Sequence, residues 1–116
     1  LLKISPVDRE REDLPPLELG AGTIVSTGAV VFAGTTVGER VIVGDQSCIR
    51  ERCTIGDDVV LGRGSFVEND TSVGALTKIQ AHAYITAYST LEESVFIAPG
   101  ESALTRMPFG PRSRAA

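Results

Sequence analysis

The sequence predicts an all-β protein, a solenoid of short strands that repeat every six residues. Three observations carry this reading. Every sixth residue from Leu19 onward is aliphatic, through Val25, Val31, Val37, Val43, Ile49, Ile55, Leu61, Val67, Val73, Ile79, Ile85, Leu91 and Ile97. The residue two before each aliphatic is compact at every repeat after Leu17, from Thr23 and Ala29 through Thr35, Ser47, Cys53, Ser65 and Thr77 to Val95. The residue after the aliphatic is glycine at Gly20, Gly38, Gly44, Gly56, Gly62 and Gly74. An unbroken internal period of this kind marks a solenoid, in which each repeat buries its apolar face only by stacking on its neighbours.

Each element follows from the period. Residues two apart on a strand face the same side, so every hexad turns one aliphatic and one compact residue inward on a short strand. A narrow core results, with all fourteen aliphatic positions expected to be buried. A glycine after the strand suits a sharp corner, which demands either positive φ or close backbone approach. Twelve glycines and no tryptophan argue against a helix-rich core, where large side chains supply much of the buried area.

The 116 residues suffice for one domain. Residues 1–16, with Asp8-Arg9-Glu10-Arg11-Glu12-Asp13 and Pro15-Pro16, read as a charged, proline-rich lead-in, and residues 17–100 as the β-helix. Residues 101–116 read as an irregular tail whose Met107 and Phe109 are expected to cover the open strand edges. The opening at Leu1 rather than methionine fits a numbering that starts inside a longer protein. A net charge of -4 lacks the basic excess that nucleic acid binding needs. No apolar run approaches the roughly 18 to 20 residues that span a bilayer, and the N-terminus lacks signal-peptide order. The expectation is a cytoplasmic protein with no membrane and no nucleic acid partner.

Taking the repeats by threes gives three faces. One presents Thr36, Thr54, Ser72 and Thr90 and should be wet. A second presents Val30, Cys48, Phe66 and Tyr84, and the third Ile24, Ile42, Val60 and Phe96, interrupted by Lys78. Two adjacent apolar ladders should not face water, and heterologous contacts in a closed ring bury both. A homotrimer follows most simply.

The candidate chemistry centres on His82, the one histidine, which falls three after Ile79 at the corner between the two apolar faces. An imidazole titrates near neutrality and can take a proton from an attacking amine or hydroxyl, whereas the structural alternative is a corner residue satisfied by a backbone carbonyl. Asn69, in an adjacent corner, and Tyr84 are the candidate substrate contacts; asparagine is also favoured in corners because it tolerates positive φ. Arg50 and Glu68 occupy equivalent outward positions on successive coils, a pairing assigned to register or interface rim, and the acidic corners Glu39, Asp57-Asp58 and Glu92-Glu93 to solvated charge. Cys48 projects outward and Cys53 inward, so they form neither a zinc site nor a disulfide with one another, and no metal is expected.

The segment Thr77-Lys78-Ile79-Gln80-Ala81-His82-Ala83-Tyr84-Ile85-Thr86, followed by Leu91-Glu92-Glu93 and Val95-Phe96-Ile97-Ala98-Pro99, resembles the hexapeptide-repeat acyltransferases, in particular the branch that acetylates nucleotide-linked amino sugars. The resemblance covers residues 17–100. It implies a left-handed parallel β-helix with three hexads to each triangular coil, so that fourteen hexads make between four and five coils, against the general preference for right-handed crossovers. It also implies a trimer that uses acetyl-CoA or another acyl-CoA as co-substrate and a small-molecule acceptor, an amine or hydroxyl that is sugar-linked. In that branch the Ala-Pro stretch is followed by a Thr-Asn-Asp segment, a loop and further coils that line the acyl-CoA groove; here Leu104-Thr105-Arg106-Met107 follows instead. That departure leaves a truncated or fragmentary acyltransferase in competition with a catalytically silent trimeric scaffold or binding module, with a metal-dependent hydratase or lyase as the minor alternative. The three-histidine metal site of the carbonic-anhydrase branch of this fold cannot be built from His82 alone.

Overall fold

The computed structural model describes residues 14–98. Fourteen two-residue strands succeed one another: β1 (Glu18–Leu19), β2 (Ile24–Val25), β3 (Val30–Val31), β4 (Thr36–Val37), β5 (Ile42–Val43), β6 (Cys48–Ile49), β7 (Thr54–Ile55), β8 (Val60–Leu61), β9 (Phe66–Val67), β10 (Ser72–Val73), β11 (Lys78–Ile79), β12 (Tyr84–Ile85), β13 (Thr90–Leu91) and β14 (Phe96–Ile97). They assemble into three parallel sheets, the first ordered β1-β4-β7-β10-β13, the second β14-β11-β8-β5-β2 and the third β12-β9-β6-β3. Every strand pairs with a strand one coil away, as Val37 does with Ile55 and Ile49 with Val67. The three sheets enclose a left-handed triangular prism whose coils repeat the hexad three times, as the resemblance implied.

The core is the predicted double column. From Val37 to Ile97 every inward aliphatic is buried, and Thr35, Val41, Ser47, Cys53, Val59, Ser65, Thr71, Thr77 and Ala83 are buried beside them. The hydroxyls among the compact residues have a specific use. Thr35 Oγ1 donates to the Arg50 carbonyl at 2.6 Å, Ser47 Oγ to that of Gly62 at 2.9 Å, and Thr77 Oγ1 to that of Glu92 at 3.0 Å. Corner carbonyls thereby gain a partner from inside the prism, where an orphan acceptor would cost about 1 to 3 kcal/mol.

The first coil departs from the expectation of uniform burial. Leu19 is 47% exposed, Val25 41%, and Val31 is half-buried. Their strands lie at the end of each sheet, with a paired coil on one side only among the described residues, so the inward side chains there are covered from one direction. The lead-in makes contact from Pro15, whose carbonyl accepts from Gly34 N at 2.8 Å. The proposed covering role of Met107 and Phe109 lies outside the described residues, as do the charged run 8–13 and the tail.

The glycines after the strands answer the close-approach alternative. A Cβ at Gly20 would stand 2.4 Å from the Gly38 carbonyl oxygen, and one at Gly62 would stand 2.5 Å from Ala81 N. Coils cannot stack at these points around a side chain. Positive φ falls instead two residues further on, at Arg40, Gln46, Arg52, Asp58, Asp70, Leu76, His82, Tyr88 and Ser94 as well as at Gly22, Gly28, Gly34 and Gly64.

Candidate functional site

His82 occupies one of these left-handed corner positions, at φ 65° between β11 and β12, where the second and third sheets meet. Its backbone N–H donates to the Arg63 carbonyl one coil below at 2.9 Å, which is the carbonyl contact of the structural alternative, made by the backbone. The side chain is exposed and forms no hydrogen bond among the described residues. Its ring lies over Gly64: a Cβ at Gly64 would meet His82 Nδ1 at 2.6 Å and Cε1 at 2.8 Å.

Tyr84 projects outward from β12, 48% exposed, and its ring sits tilted by 37° against Phe66 with centroids 5.7 Å apart. Its hydroxyl donates to Glu68, and this bond to a carboxylate raises the phenol above its ordinary titration range. Glu68 in turn lies 4.0 Å from Arg50, so the predicted rim pair exists but is loose. Arg50 is held more closely elsewhere. Its Nε is 3.0 Å from Glu51 and its guanidinium stacks 4.6 Å over the Phe32 ring, a cation–π contact.

Asn69 sits at the far edge of the third sheet from His82, in the corner that leads to the first sheet. Its Nδ2 donates to Asp70 at 2.6 Å. Positive φ belongs to Asp70, so Asn69 is not in its corner for left-handed backbone. The fold therefore sets His82, Tyr84 and Asn69 across one face, with Tyr84 between the other two and joined to the residue preceding Asn69. None of the three hydrogen-bonds another among the described residues.

Sequence reasoning missed Glu51, a carboxylate with no exposed surface, and the ion pair between Arg52 and Asp70. The available signal was the run Arg50-Glu51-Arg52: two cations flanking one acid in a corner mark a charge that can be buried because it is paired. Asp58 and Arg40 form the equivalent pair in the corner between the first and second sheets, in solvent.

Both thiols are free. Cys53 is inward, its Sγ donates to the Glu68 carbonyl at 3.0 Å, and burial pushes its titration up to about 11; Cys48, half-buried and outward, is also raised by burial. Neither is a ready nucleophile. Among the described residues no group of three His, Cys, Asp or Glu can hold a metal ion, and no helix is long and apolar enough to cross a membrane.

The outward ladders stand as the sequence divided them. Thr36, Thr54, Ser72 and Thr90 are exposed on the first sheet. On the other two, Ile24, Val30, Ile42 and Phe96 are exposed between 40% and 56%. His82 marks the edge where these two apolar faces meet.

The class of protein that this fold defines is a hexapeptide-repeat β-helix, and residues 34–69 match the family described as bacterial transferase hexapeptide (six repeats). Among solved structures, the chain is similar to the acetyltransferase domain of PglB from Neisseria gonorrhoeae. The identity is 25% and the TM-score 0.74, over 76% of this chain and 43% of that one. The same domain in complex with acetyl coenzyme A matches at 22% identity and TM-score 0.68, over 76% of this chain and 48% of that one, an agreement of fold. The chain thus spans less than half the length of these structures. Comparison with curated protein sequences gave no match.

Proposed function

We propose that this chain is the β-helical part of a CoA-dependent acyltransferase that moves an acetyl or similar group from acyl-CoA to an amine or hydroxyl of a small, sugar-linked acceptor. The observation that carries the reading is the His82 imidazole: exposed, free of hydrogen bonds within the described chain, and placed at the edge between two apolar faces. If those faces pack in a closed homotrimer, His82 lines a groove between subunits, where it takes the proton of the acceptor as its nitrogen or oxygen attacks the thioester carbonyl. The carbon–sulfur bond then breaks, and the imidazolium returns the proton to the departing thiolate.

The surroundings suit such a co-substrate. Lys78 projects outward from β11 just before the corner, and Arg63 is exposed in the coil beneath it, so two cations flank the site that an anionic CoA would approach. Much of the rate would come from holding thioester and acceptor together. Asn69 and Tyr84 are proposed acceptor contacts on the same face. The intracellular availability of acyl-CoA makes a cytoplasmic location part of this reading.

Soaking crystals with acetyl-CoA tests it. An ordered pantetheine in a groove beside His82 is the expected result. An empty groove together with no acetyl transfer to amino sugars by the full-length protein would leave a trimeric scaffold as the better reading.

A further inference from the structure

Residues 28, 46, 64 and 82 share one left-handed corner position on successive coils, at φ 73°, 60°, 68° and 65°. Along this column a side chain alternates with none. Gln46 lies over Gly28, its Cγ 3.1 Å from where a Cβ would stand, and His82 lies over Gly64 with Nδ1 2.6 Å and Cε1 2.8 Å from the corresponding point. The next atom of His82 is Cγ at 3.6 Å, so Nε2 stands farther off. The two glycines differ in what a methyl group would do. Gln46 has a flexible stem that can step aside, whereas the imidazole is a rigid ring with two torsions and must swing as a whole.

We propose that Gly64 is the positioning residue for His82: by carrying no Cβ it forms the seat in which the imidazole lies, with the Nδ1–Cε1 edge down and Nε2 turned away from it toward the acceptor. This rests on the reading of His82 as the base. The seat orients a side chain with no hydrogen-bond partner within the described chain: shape holds the ring on one side, and its corner backbone, tied to Arg63, holds its root. A base misplaced by an ångström loses on the order of a hundredfold in rate, so the seat matters to turnover as much as the ring does.

The paired variants Gly64→Ala and Gly28→Ala test this, because they place the same methyl group at the same backbone conformation and only the first lies under His82. The chain holds one histidine, so its imidazole signals in NMR are unambiguous. Gly64→Ala is expected to move the ring nitrogen and proton shifts of the imidazole, with Gly28→Ala at wild-type values. In the full-length protein kcat with acetyl-CoA should fall about tenfold to a hundredfold for Gly64→Ala alone, with KM for acetyl-CoA unchanged. Equal effects of the two variants, or an unmoved imidazole in Gly64→Ala, would overturn the proposal. Should Gly64→Ala fail to fold, the wild-type protein decides: cross-relaxation between His82 Hε1 and the Gly64 Hα protons is expected, and its absence overturns the seat. Failure of the catalytic reading shows separately, as turnover indifferent to His82→Ala, while the NMR measurements still judge the seat.

Discussion

Arg52 grips Asp70 across one coil, its Nε and Nη2 each 2.9 Å from a different carboxylate oxygen. Both residues stand at left-handed corners with φ 57°, so the pair ties two successive corners to one another at their most strained points. The hydrogen bond from Arg52 holds the Asp70 carboxyl below the usual carboxylate range, aided by Asn69. A carboxyl whose folded value lies below its unfolded value of about 3.9 contributes fully above that value, and the contribution is lost as pH falls through the folded value. Asp70→Asn should therefore cost about 1 to 2 kcal/mol at neutral pH and flatten the acid limb below about pH 4. Urea midpoints against pH check this; parallel curves for wild type and variant would exclude the pair as a source of stability. Asp58→Asn, which breaks the solvent-exposed pair with Arg40, should do less.

Leu61→Ala should cost about 2 to 5 kcal/mol, because Leu61 is fully buried and the coils above and below leave little to collapse into the hole. Leu19→Ala should cost clearly less, since nearly half of that side chain already meets solvent. Urea unfolding of the two variants reads the difference directly. Equal costs would mean that the first coil is covered as deeply as the middle of the prism.

These two positions show where the sequence was sufficient. The hexad period at Val37, Ile55 and Leu61 depends only on local alternation and on stacking with an identical neighbour, so every buried column from the second coil onward was legible before any coordinates. Burial at Leu19 and Val25 depends on whether a further layer lies over them, and no period records that. The corners were half legible. Glycine at Gly38 and Gly74 signalled close approach or positive φ without deciding between them, and the left-handed position two residues later is filled by Arg40 and Leu76, whose side chains give no hint of positive φ. The burial of Glu51 was less legible: a corner acid is ordinarily solvated, and the run Arg50-Glu51-Arg52 signals only that a charge there can be paired, as Arg50 pairs it at 3.0 Å. His82, Tyr84 and Asn69 were placed on their corners and strand by counting alone, while the partners that Tyr84 and Asn69 take there, Glu68 and Asp70, came from the stacking of particular rotamers.

Phe66→Glu should convert a trimer into monomers at tens of micromolar. Phe66 is the middle of the third sheet's ladder, packed between Cys48 and Tyr84 in the strand register, and a carboxylate there would be desolvated on assembly without a partner. Light scattering on both proteins is the measurement. A wild-type protein that is itself monomeric would remove the interface, and with it the groove in which His82 is proposed to act.

His82→Ala is the sharpest test of the chemistry. The corner position requires only backbone that tolerates φ 65°, and the His82 N–H bond to Arg63 survives the substitution, so the fold and any assembly should remain intact. What the variant removes is the one imidazole in the chain. Tyr84, whose phenol is raised by its bond to Glu68, cannot take over as a base near neutrality, and Cys48, raised by burial, is no better suited. Turnover of the full-length protein with acetyl-CoA should then fall by roughly 10² to 10⁴ in kcat, the range for loss of a general base, with little change in KM. A variant that keeps its rate would return His82 to the role of a corner residue and move the base, if there is one, beyond residues 14–98.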